Sequence, residues 1–247
     1  MTKRGALSAG LLGAVLVATL HGTPVAAVEI GLTGYGINLD GSSTCSPFAL
    51  FTPCDDETQP DLGGVSGMDD SGFDYNTGLG ELRISFSSAG MHSLQLFLDH
   101  EIDRAINTYF NENGSTQGTP AAGQSFEIDE PSFVFGDLDL NFLAGSLDDS
   151  NGVPVGLEDD VAMALGWDFT LALGETALAS FRVALQAPTS GFYLVQTDPD
   201  SIGDASLYFS SSLRIDGGGS TPVPEPAPLM LLGLALLGWA GRGRRRG

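Results

Sequence analysis

Apolar and polar residues alternate along much of the middle of the chain. Every second residue from Leu94 to Leu98 is leucine, and the same period of two recurs from Trp167 to Leu173. This period places alternate side chains on opposite faces of a strand, so it predicts half-buried β-strands. Further strands are predicted around these alternating residues: Leu138, Leu140 and Phe142; Phe181, Val183 and Leu185; Tyr193 and Val195; Leu207 and Phe209; Leu213 and Ile215.

Turn-forming residues separate the predicted strands, for example at 149–152 (Asp-Ser-Asn-Gly) and 198–200 (Asp-Pro-Asp). Many short strands divided by turns favour an all-β domain of the β-sandwich or jelly-roll type. An amphipathic pattern predicts one helix near Asp99 to Phe110. We therefore expect a single β-sandwich domain over residues 28–215. An N-terminal signal helix and a short C-terminal hydrophobic helix would flank it.

The N-terminus has the charged, apolar and small-residue order of a secretory signal peptide. Lys3 and Arg4 precede an apolar segment at residues 6–20, and Val25-Ala26-Ala27 supplies the small residues of a cleavage site. No twin-arginine pair is present, which favours the general secretory route. We expect cleavage after Ala27, so that residues 1–27 form a signal peptide.

The C-terminal region begins with a Gly-rich segment at residues 216–223, which is predicted to be a flexible linker. An apolar segment follows from Leu229 to Ala240. As a helix it would extend about 18 Å, whereas the hydrocarbon core of a bilayer is about 30 Å thick. The segment is therefore short for a permanent anchor. The positive-inside rule predicts a cytoplasmic position for the terminal cations, which are Arg242, Arg244, Arg245 and Arg246.

Pro224, Glu225 and Pro226, the hydrophobic segment and the terminal arginines resemble the PEP-CTERM sorting signal, over residues 224–247. The resemblance implies export, transient contact with the inner membrane through this segment, and processing near the motif by an exosortase, a membrane-embedded cysteine protease. It also implies release or attachment at the surface of a bacterium that makes exopolysaccharide. The body resembles sequence found in other PEP-CTERM proteins at residues 73–82, 123–138, 159–169 and 191–201, which implies a location but no activity.

The charge of the chain is unevenly distributed. There are 31 acidic and 10 basic residues, a formal net charge of −21. All acidic residues lie between Glu29 and Glu225, a segment with only four arginines and hence a charge of −27. Nucleic acid is therefore not an expected partner, because contacts to phosphate require Lys and Arg.

Acidic turns raise the alternative of calcium binding, since Ca²⁺ takes six to eight oxygen ligands. Asp198, Asp200 and Asp204 occupy the first, third and seventh positions of a loop between two predicted strands. The match to a calcium loop is partial, because Ile202 stands where an oxygen ligand is wanted. Residues 69–76 and 148–152 form similar clusters. The other interpretation is that acidic turns keep an exported protein soluble, with no cofactor.

Two cysteines, Cys45 and Cys54, lie in a loop rich in Ser, Thr, Pro and Asp. In an exported protein they are expected to form a disulfide bond, and a catalytic or metal-binding thiol is the alternative. The body contains only two histidines, His92 and His100, and no Gly-x-Ser-x-Gly motif. The sequence therefore predicts no catalytic activity, although a glycan-active hydrolase would need only two suitably spaced carboxylates.

These observations predict an exported structural protein of the cell surface or of an exopolysaccharide (biofilm) matrix. One alternative is a calcium-dependent carbohydrate-binding or adhesin module, and another is a secreted glycan-active hydrolase. Trp167 and Phe169 would suit a sugar-stacking platform, but a tryptophan on a strand more often belongs to the core.

Overall fold

The computed structural model describes residues 28–45, 62–103, 110–131, 136–201 and 203–217, which form two packed β-sheets. The first sheet contains the strands β1 (Ile30–Leu39), β2 (Ser42–Cys45), β5 (Gly90–Ile102), β7 (Gln124–Asp129) and β8 (Ala162–Leu171). The second contains β3 (Met68–Asp74), β4 (Leu79–Phe86), β6 (Asn113–Gln117), β9 (Thr176–Ala184), β10 (Tyr193–Thr197) and β11 (Ser206–Asp216). A 3-10 helix (Leu62–Gly64) and an α-helix, α1 (Leu138–Ala144), complete the described elements.

The five-stranded sheet has the order β2-β1-β5-β8-β7, and the six-stranded sheet has the order β3-β4-β9-β11-β10-β6. The strand pairs within both sheets are antiparallel. This confirms the prediction of an all-β sandwich. Strands are observed at the predicted segments 94–98, 193–195 and 207–215, the last of them as one continuous strand, β11. The predictions at 167–173 and 181–185 are confirmed except at their ends, because β8 stops at Leu171 and β9 at Ala184, which leaves Leu173 and Leu185 outside the strands.

The main core lies between the two sheets. It consists of the inward-facing side chains, which occur at every second position along each strand. Leu94, Leu96 and Leu98 of β5 are at most 1% exposed, and Phe181 and Phe209 of the opposite sheet are equally buried. Trp167 also belongs to this core, with 6% of its surface exposed. The apolar residues that recur at every second position in the sequence are thus the ones whose side chains point between the sheets.

The outer face of the five-stranded sheet is covered in part by α1. Phe142 of the helix lies against Phe97 of β5, with their ring centroids 5.8 Å apart. Asn38 on β1 donates a hydrogen bond of 2.7 Å from Nδ2 to the carbonyl oxygen of Phe142. A second, smaller hydrophobic cluster therefore forms behind the sheet, and it leaves β5 buried on both faces.

The strand predicted around Leu138, Leu140 and Phe142 is wrong, because these residues form the helix α1. Leu138 and Phe142 are four residues apart, which also places them on one face of a helix, while Leu140 is 62% exposed. Gly145 ends the helix in a left-handed conformation, with a φ of 71°.

The helix predicted near Asp99 to Phe110 is wrong for its first four residues. Asp99 to Ile102 complete β5, because the alternation that begins at Leu94 continues through them in the pairing with β1. Residues 104–109 lie outside the described residues.

The predicted signal peptide and the predicted C-terminal hydrophobic helix also lie outside the described residues. Within the part of the chain that is described, no helix has the length and apolar character needed to span a membrane.

Candidate functional site

Three carboxylates meet on the outer face of the five-stranded sheet, where β8 begins. Asp99 and Glu101 are two residues apart on β5 and therefore point to the same face. Asp160 precedes β8, and the pairing of Ala162 with Asp99 brings it alongside them. One oxygen from each of the three side chains lies within 4.8 Å of the other two. We call these three residues the carboxylate triplet.

The carboxylate triplet is mostly shielded from water. Asp99 is 7% exposed and Glu101 is 5% exposed. Burial raises the pKa of Asp99, and the charge of Glu101 adds to the effect. The pKa of Asp160 is raised by burial and then by the neighbouring charge of Asp99. Three acidic groups this close are costly to ionise together unless protons or a cation compensate their charge.

Two oxygen atoms of the carboxylate triplet have no hydrogen-bond partner. They are Oδ1 of Asp99 and Oδ1 of Asp160, and both are fully shielded from water. Buried polar atoms are normally hydrogen-bonded, so each such atom needs a physical explanation.

A second carboxylate group comprises Glu127 on β7, Asp137 before α1 and Asp148 after it. Burial raises the pKa of Glu127 to about 7. Both of its oxygens are nevertheless satisfied, because Oε1 accepts a hydrogen bond of 3.0 Å from Asn141 Nδ2 and Oε2 accepts one of 3.2 Å from Asp148 N. Within this group Glu127 holds α1 and the following loop against the sheet.

The structure does not gather the predicted calcium residues Asp198, Asp200 and Asp204 into a carboxylate group among the described residues. Asp198 is fully buried, and its Oδ1 accepts hydrogen bonds from Asp200 N at 2.8 Å and Ser201 N at 3.0 Å. Asn111 donates a third hydrogen bond to the same oxygen at 2.8 Å. Asp198 thus organises the turn after β10 through its side chain.

The segment around His92 contains the side chains of a Ser-His-Asp arrangement. His92 Nδ1 lies 3.0 Å from Asp40 Oδ2, and Nε2 lies 3.4 Å from Ser88 Oγ. Nε2 is closer to the carbonyl oxygen of Ser88, at 2.9 Å. Both ring nitrogens therefore face acceptors, and the hydrogen bond to the Ser88 carbonyl, followed by the charge of Asp40, raises the pKa of His92. Because Nε2 is closer to the carbonyl oxygen than to the hydroxyl, its hydrogen bond goes to the backbone of Ser88, whereas a general base must accept the hydroxyl proton at that nitrogen.

The outer face of the six-stranded sheet is polar and carries the three described arginines, Arg83, Arg182 and Arg214. Arg83 is paired with Glu81 at 2.6 Å, and Arg214 is paired with Asp216 at 2.8 Å. Within the described residues, no carboxylate forms an ion pair with Arg182.

Strand register places Arg182 in a row that crosses five strands, in the order Glu81, Arg182, Ser210, Tyr193 and Gln117. We call these five residues the polar row. Next to it, Arg182, Ser210 and Tyr208 line an open cavity of about 390 Å³ with residues 184 and 186–190. The rings of Tyr193 and Tyr208 meet edge to face, with centroids 6.0 Å apart. The polar row therefore offers a cation, hydroxyl groups and aromatic surface side by side.

The residues predicted for sorting lie outside the described residues: Ala27, Pro224, Glu225, Pro226, Arg242, Arg244, Arg245 and Arg246.

Cys45 ends β2 and no described cysteine is a free thiol. Cys54 lies outside the described residues, so a bond between Cys45 and Cys54 stays a prediction.

Comparison with protein families identifies the C-terminal region. The model of the PEP-CTERM protein-sorting motif matches residues 222–246, which include Pro224, Glu225, Pro226 and the four terminal arginines. The chain is a PEP-CTERM domain-containing protein. The motif indicates an exported protein that an exosortase sorts. Neither a curated protein nor a solved structure matches this PEP-CTERM protein.

Sequence reasoning did not find the carboxylate triplet or the polar row. Asp99 and Asp160 are far apart in the sequence, and only the pairing of β5 with β8 brings them together. The sequence did contain one indication of the triplet. Asp99 and Glu101 follow Phe97 at every second position of β5, so they lie on the same outer face as this buried phenylalanine. Acidic residues that share a strand face with buried apolar residues are therefore candidates for a common binding site.

Proposed function

We propose that this PEP-CTERM protein is a non-catalytic component of the cell surface or of the exopolysaccharide matrix. The observation that carries the proposal is the sorting motif at residues 222–246. The C-terminal segment would hold the precursor in the inner membrane, and exosortase processing would then deliver the β-sandwich to the outside of the cell.

The contact with the matrix is assigned to the polar row, and the expected ligand is a polysaccharide with sparse carboxylate or sulfate groups, because the strongly negative body would repel a densely charged chain. Arg182 supports this choice because it is exposed and has no ion-pair partner among the described residues. Its guanidinium has the planar donor geometry that suits a carboxylate or sulfate group. Tyr193 and Tyr208 supply ring faces on which the apolar side of a sugar can pack. Ser210 and Gln117 supply hydrogen-bonding groups on either side of Tyr193.

The test is co-sedimentation of the full chain, in mild detergent, with the exopolysaccharide of the producing bacterium. We expect binding that weakens with salt, because a charge contact is screened by ions. Arg182→Ala should reduce the bound fraction severalfold. Arg214→Ala is the matched control, since Arg214 lies on the same sheet face but is paired with Asp216.

Two results would contradict the proposal. Absence of binding at low salt, or equal losses for the two arginine variants, would remove the polar row as the contact surface. Shortening of the polysaccharide chains during incubation would replace the non-catalytic role with that of a glycan-active hydrolase.

A calcium-dependent carbohydrate-binding or adhesin module is the second candidate. The carboxylate triplet favours it, because ion binding there would make the fold depend on external calcium. Repeating the co-sedimentation with a chelator distinguishes the two candidates. Binding that the chelator abolishes supports the calcium-dependent module, and binding that persists supports direct recognition by the polar row.

A further inference from the structure

Two members of the carboxylate triplet lie in a regular strand and the third lies just before one, so the strand backbone fixes where their side chains begin. Asp99 and Glu101 lie in β5, which pairs with β1 on one side and with β8 on the other. Asp160 comes two residues before Ala162, the partner of Asp99. A hydrogen bond of 3.0 Å from Thr33 Oγ1 to the carbonyl oxygen of Asp99 further fixes the strand at this point. The arrangement therefore does not depend on flexible surface side chains.

The side chain of Asp99 provides independent evidence that a ligand is missing from this arrangement. Asp99 is 7% exposed, and its Oδ1 has no hydrogen-bond partner. An ionised carboxylate in such a position loses its hydration without gaining a donor, which is unfavourable. Oδ1 of Asp160 is also shielded from water and has no hydrogen-bond partner. A cation held by the three carboxylates would compensate both of these unpartnered groups.

We propose that Asp99, Glu101 and Asp160 bind a calcium ion. Oxygens on opposite sides of a Ca²⁺ ion are about 4.8 Å apart, because Ca–O distances are about 2.4 Å. The three ligand oxygens lie within this distance of one another, so they fit a single coordination sphere. No nitrogen or sulfur ligand belongs to the group as described, and oxygen-only sites select hard cations such as Ca²⁺. Water would complete the coordination.

The neighbouring strand leaves room for the ion and its water ligands. Glycines of β1 stand opposite both acidic residues of β5, with Gly31 paired with Glu101 and Gly34 paired with Asp99. The β1 residues directly opposite these two carboxylates therefore have no side chain, and Thr33, between Leu32 and Gly34, approaches Asp99 through its small hydroxyl group. A Cβ atom added at Gly31 would meet no atom within 4 Å, so the space beside Glu101 is open.

The location of the protein suits a site of this kind. Exported proteins meet calcium at higher concentrations than cytosolic proteins do, and extracellular calcium modules bind with Kd values of about 0.1–1 mM. Occupancy would neutralise part of the charge of a strongly acidic body. We expect calcium to stabilise the fold rather than to take part in a reaction.

The test measures thermal unfolding of the full chain in mild detergent, with millimolar CaCl₂ and with a chelator. We expect calcium to raise the Tm of the parent protein by roughly 3 °C or more, as selective binding to the folded state requires. The double variant Asp99→Asn, Asp160→Asn should lose this increase. In the presence of the chelator, the double variant should be at least as stable as the parent, because the substitutions remove buried negative charge. This second comparison separates loss of the ion from a failure to fold.

Asp137→Asn is the matched control, since it changes one member of the second carboxylate group and should keep the full calcium response. Calorimetric titration with CaCl₂ should show one ion per chain, lost in the double variant. The proposal is overturned if calcium leaves the parent Tm unchanged, which would mean that protons alone compensate the triplet. The proposal is also overturned if calcium still raises the Tm of the double variant, or if only Mg²⁺ or Mn²⁺ raises the Tm of the parent.

Discussion

The indole Nε1 of Trp167 donates a hydrogen bond of 3.0 Å to Ser211 Oγ, and this contact joins the two sheets of the sandwich. Trp167 lies in β8 of the five-stranded sheet, and Ser211 lies in β11 of the six-stranded sheet. Gln124 Nε2 donates to the same hydroxyl oxygen at 3.0 Å. One serine therefore accepts hydrogen bonds from two side chains of the opposite sheet.

Ser211→Ala should lower the free energy of unfolding by about 1–3 kcal/mol, because it leaves two partly buried donors without an acceptor. For a domain of this size that corresponds to a fall in Tm of about 2–10 °C. Ser212→Ala, at the exposed neighbouring position on the other face of β11, is the control and should change Tm by less than about 1 °C. Equal effects of the two substitutions in thermal unfolding would show that the hydrogen bonds of Ser211 contribute nothing.

A second test concerns Gly78, which lies in the turn before β4 with a φ of 67°. A Cβ atom at this position would clash with Nε2 of His100. Burial lowers the pKa of His100 to about 4, so the ring is neutral at pH 7. Its Nε2 lies 3.3 Å from the carbonyl oxygen of Gly78, a distance that suits a hydrogen bond. A side chain on Gly78 would therefore displace a ring that is fully buried.

Gly78→Ala should therefore destabilise the protein by about 2 kcal/mol or more, from backbone strain and from the clash with His100. Gly174→Ala separates these two causes, because Gly174 has a φ of 86° and open space around its Cβ position. It should cost only about 1 kcal/mol. Denaturant unfolding of both variants measures the difference, and a Gly78 variant no less stable than the Gly174 variant would contradict the predicted clash.

The alternation of apolar residues was sufficient to predict β5 and β8 to β11, but it did not find β1, β4 and β7, which also contribute to the main core. It also could not separate α1 from a strand. Leu138, Leu140 and Phe142 satisfy a period of two, while Leu138 and Phe142 alone satisfy the spacing of a helix. Tertiary packing decides between them, because the helix places both residues against Phe97 and the small alanines of β8. A short segment does not contain that information.

The candidate sites were less predictable than the fold, for a physical reason. The acidic turns that suggested calcium binding, such as Asp198 to Asp204, use a carboxylate to accept backbone hydrogen bonds, which is a common role of Asp in turns. The carboxylate triplet depends instead on the register of β5 with β8. Register is a property of strand pairing, and no single stretch of sequence encodes it.

The pH dependence of stability should include a contribution from His92. Its pKa is raised in the folded state by the Ser88 carbonyl and by Asp40. The stabilisation is therefore fully present below the ordinary pKa of about 6.5, and it is lost as the pH rises through the raised value. We expect the Tm of the parent to fall over this interval more than the Tm of His92→Gln.

The titration of the His92 ring protons by NMR checks this directly, and a pKa above 6.5 is expected. Asp40→Asn should lower that pKa, since it removes the negative charge 3.0 Å from Nδ1. A ring that titrates at or below 6.5 in the parent would mean that burial outweighs both acceptors.

The sorting motif gives the prediction that bears most directly on export. Glu225 is the acidic residue of the motif that the family model matches at residues 222–246. Glu225→Ala should prevent processing, so that the precursor accumulates in the membrane fraction and the released or surface-attached form is lost. The Tm of the β-sandwich should stay unchanged, because the substitution lies outside residues 28–217. Ser220→Ala, in the linker before the match, is the control and should be processed normally. Normal processing of Glu225→Ala in fractionated cells would show that the exosortase does not depend on this carboxylate, and the assignment of the cleavage signal would have to move to the hydrophobic segment and the arginines.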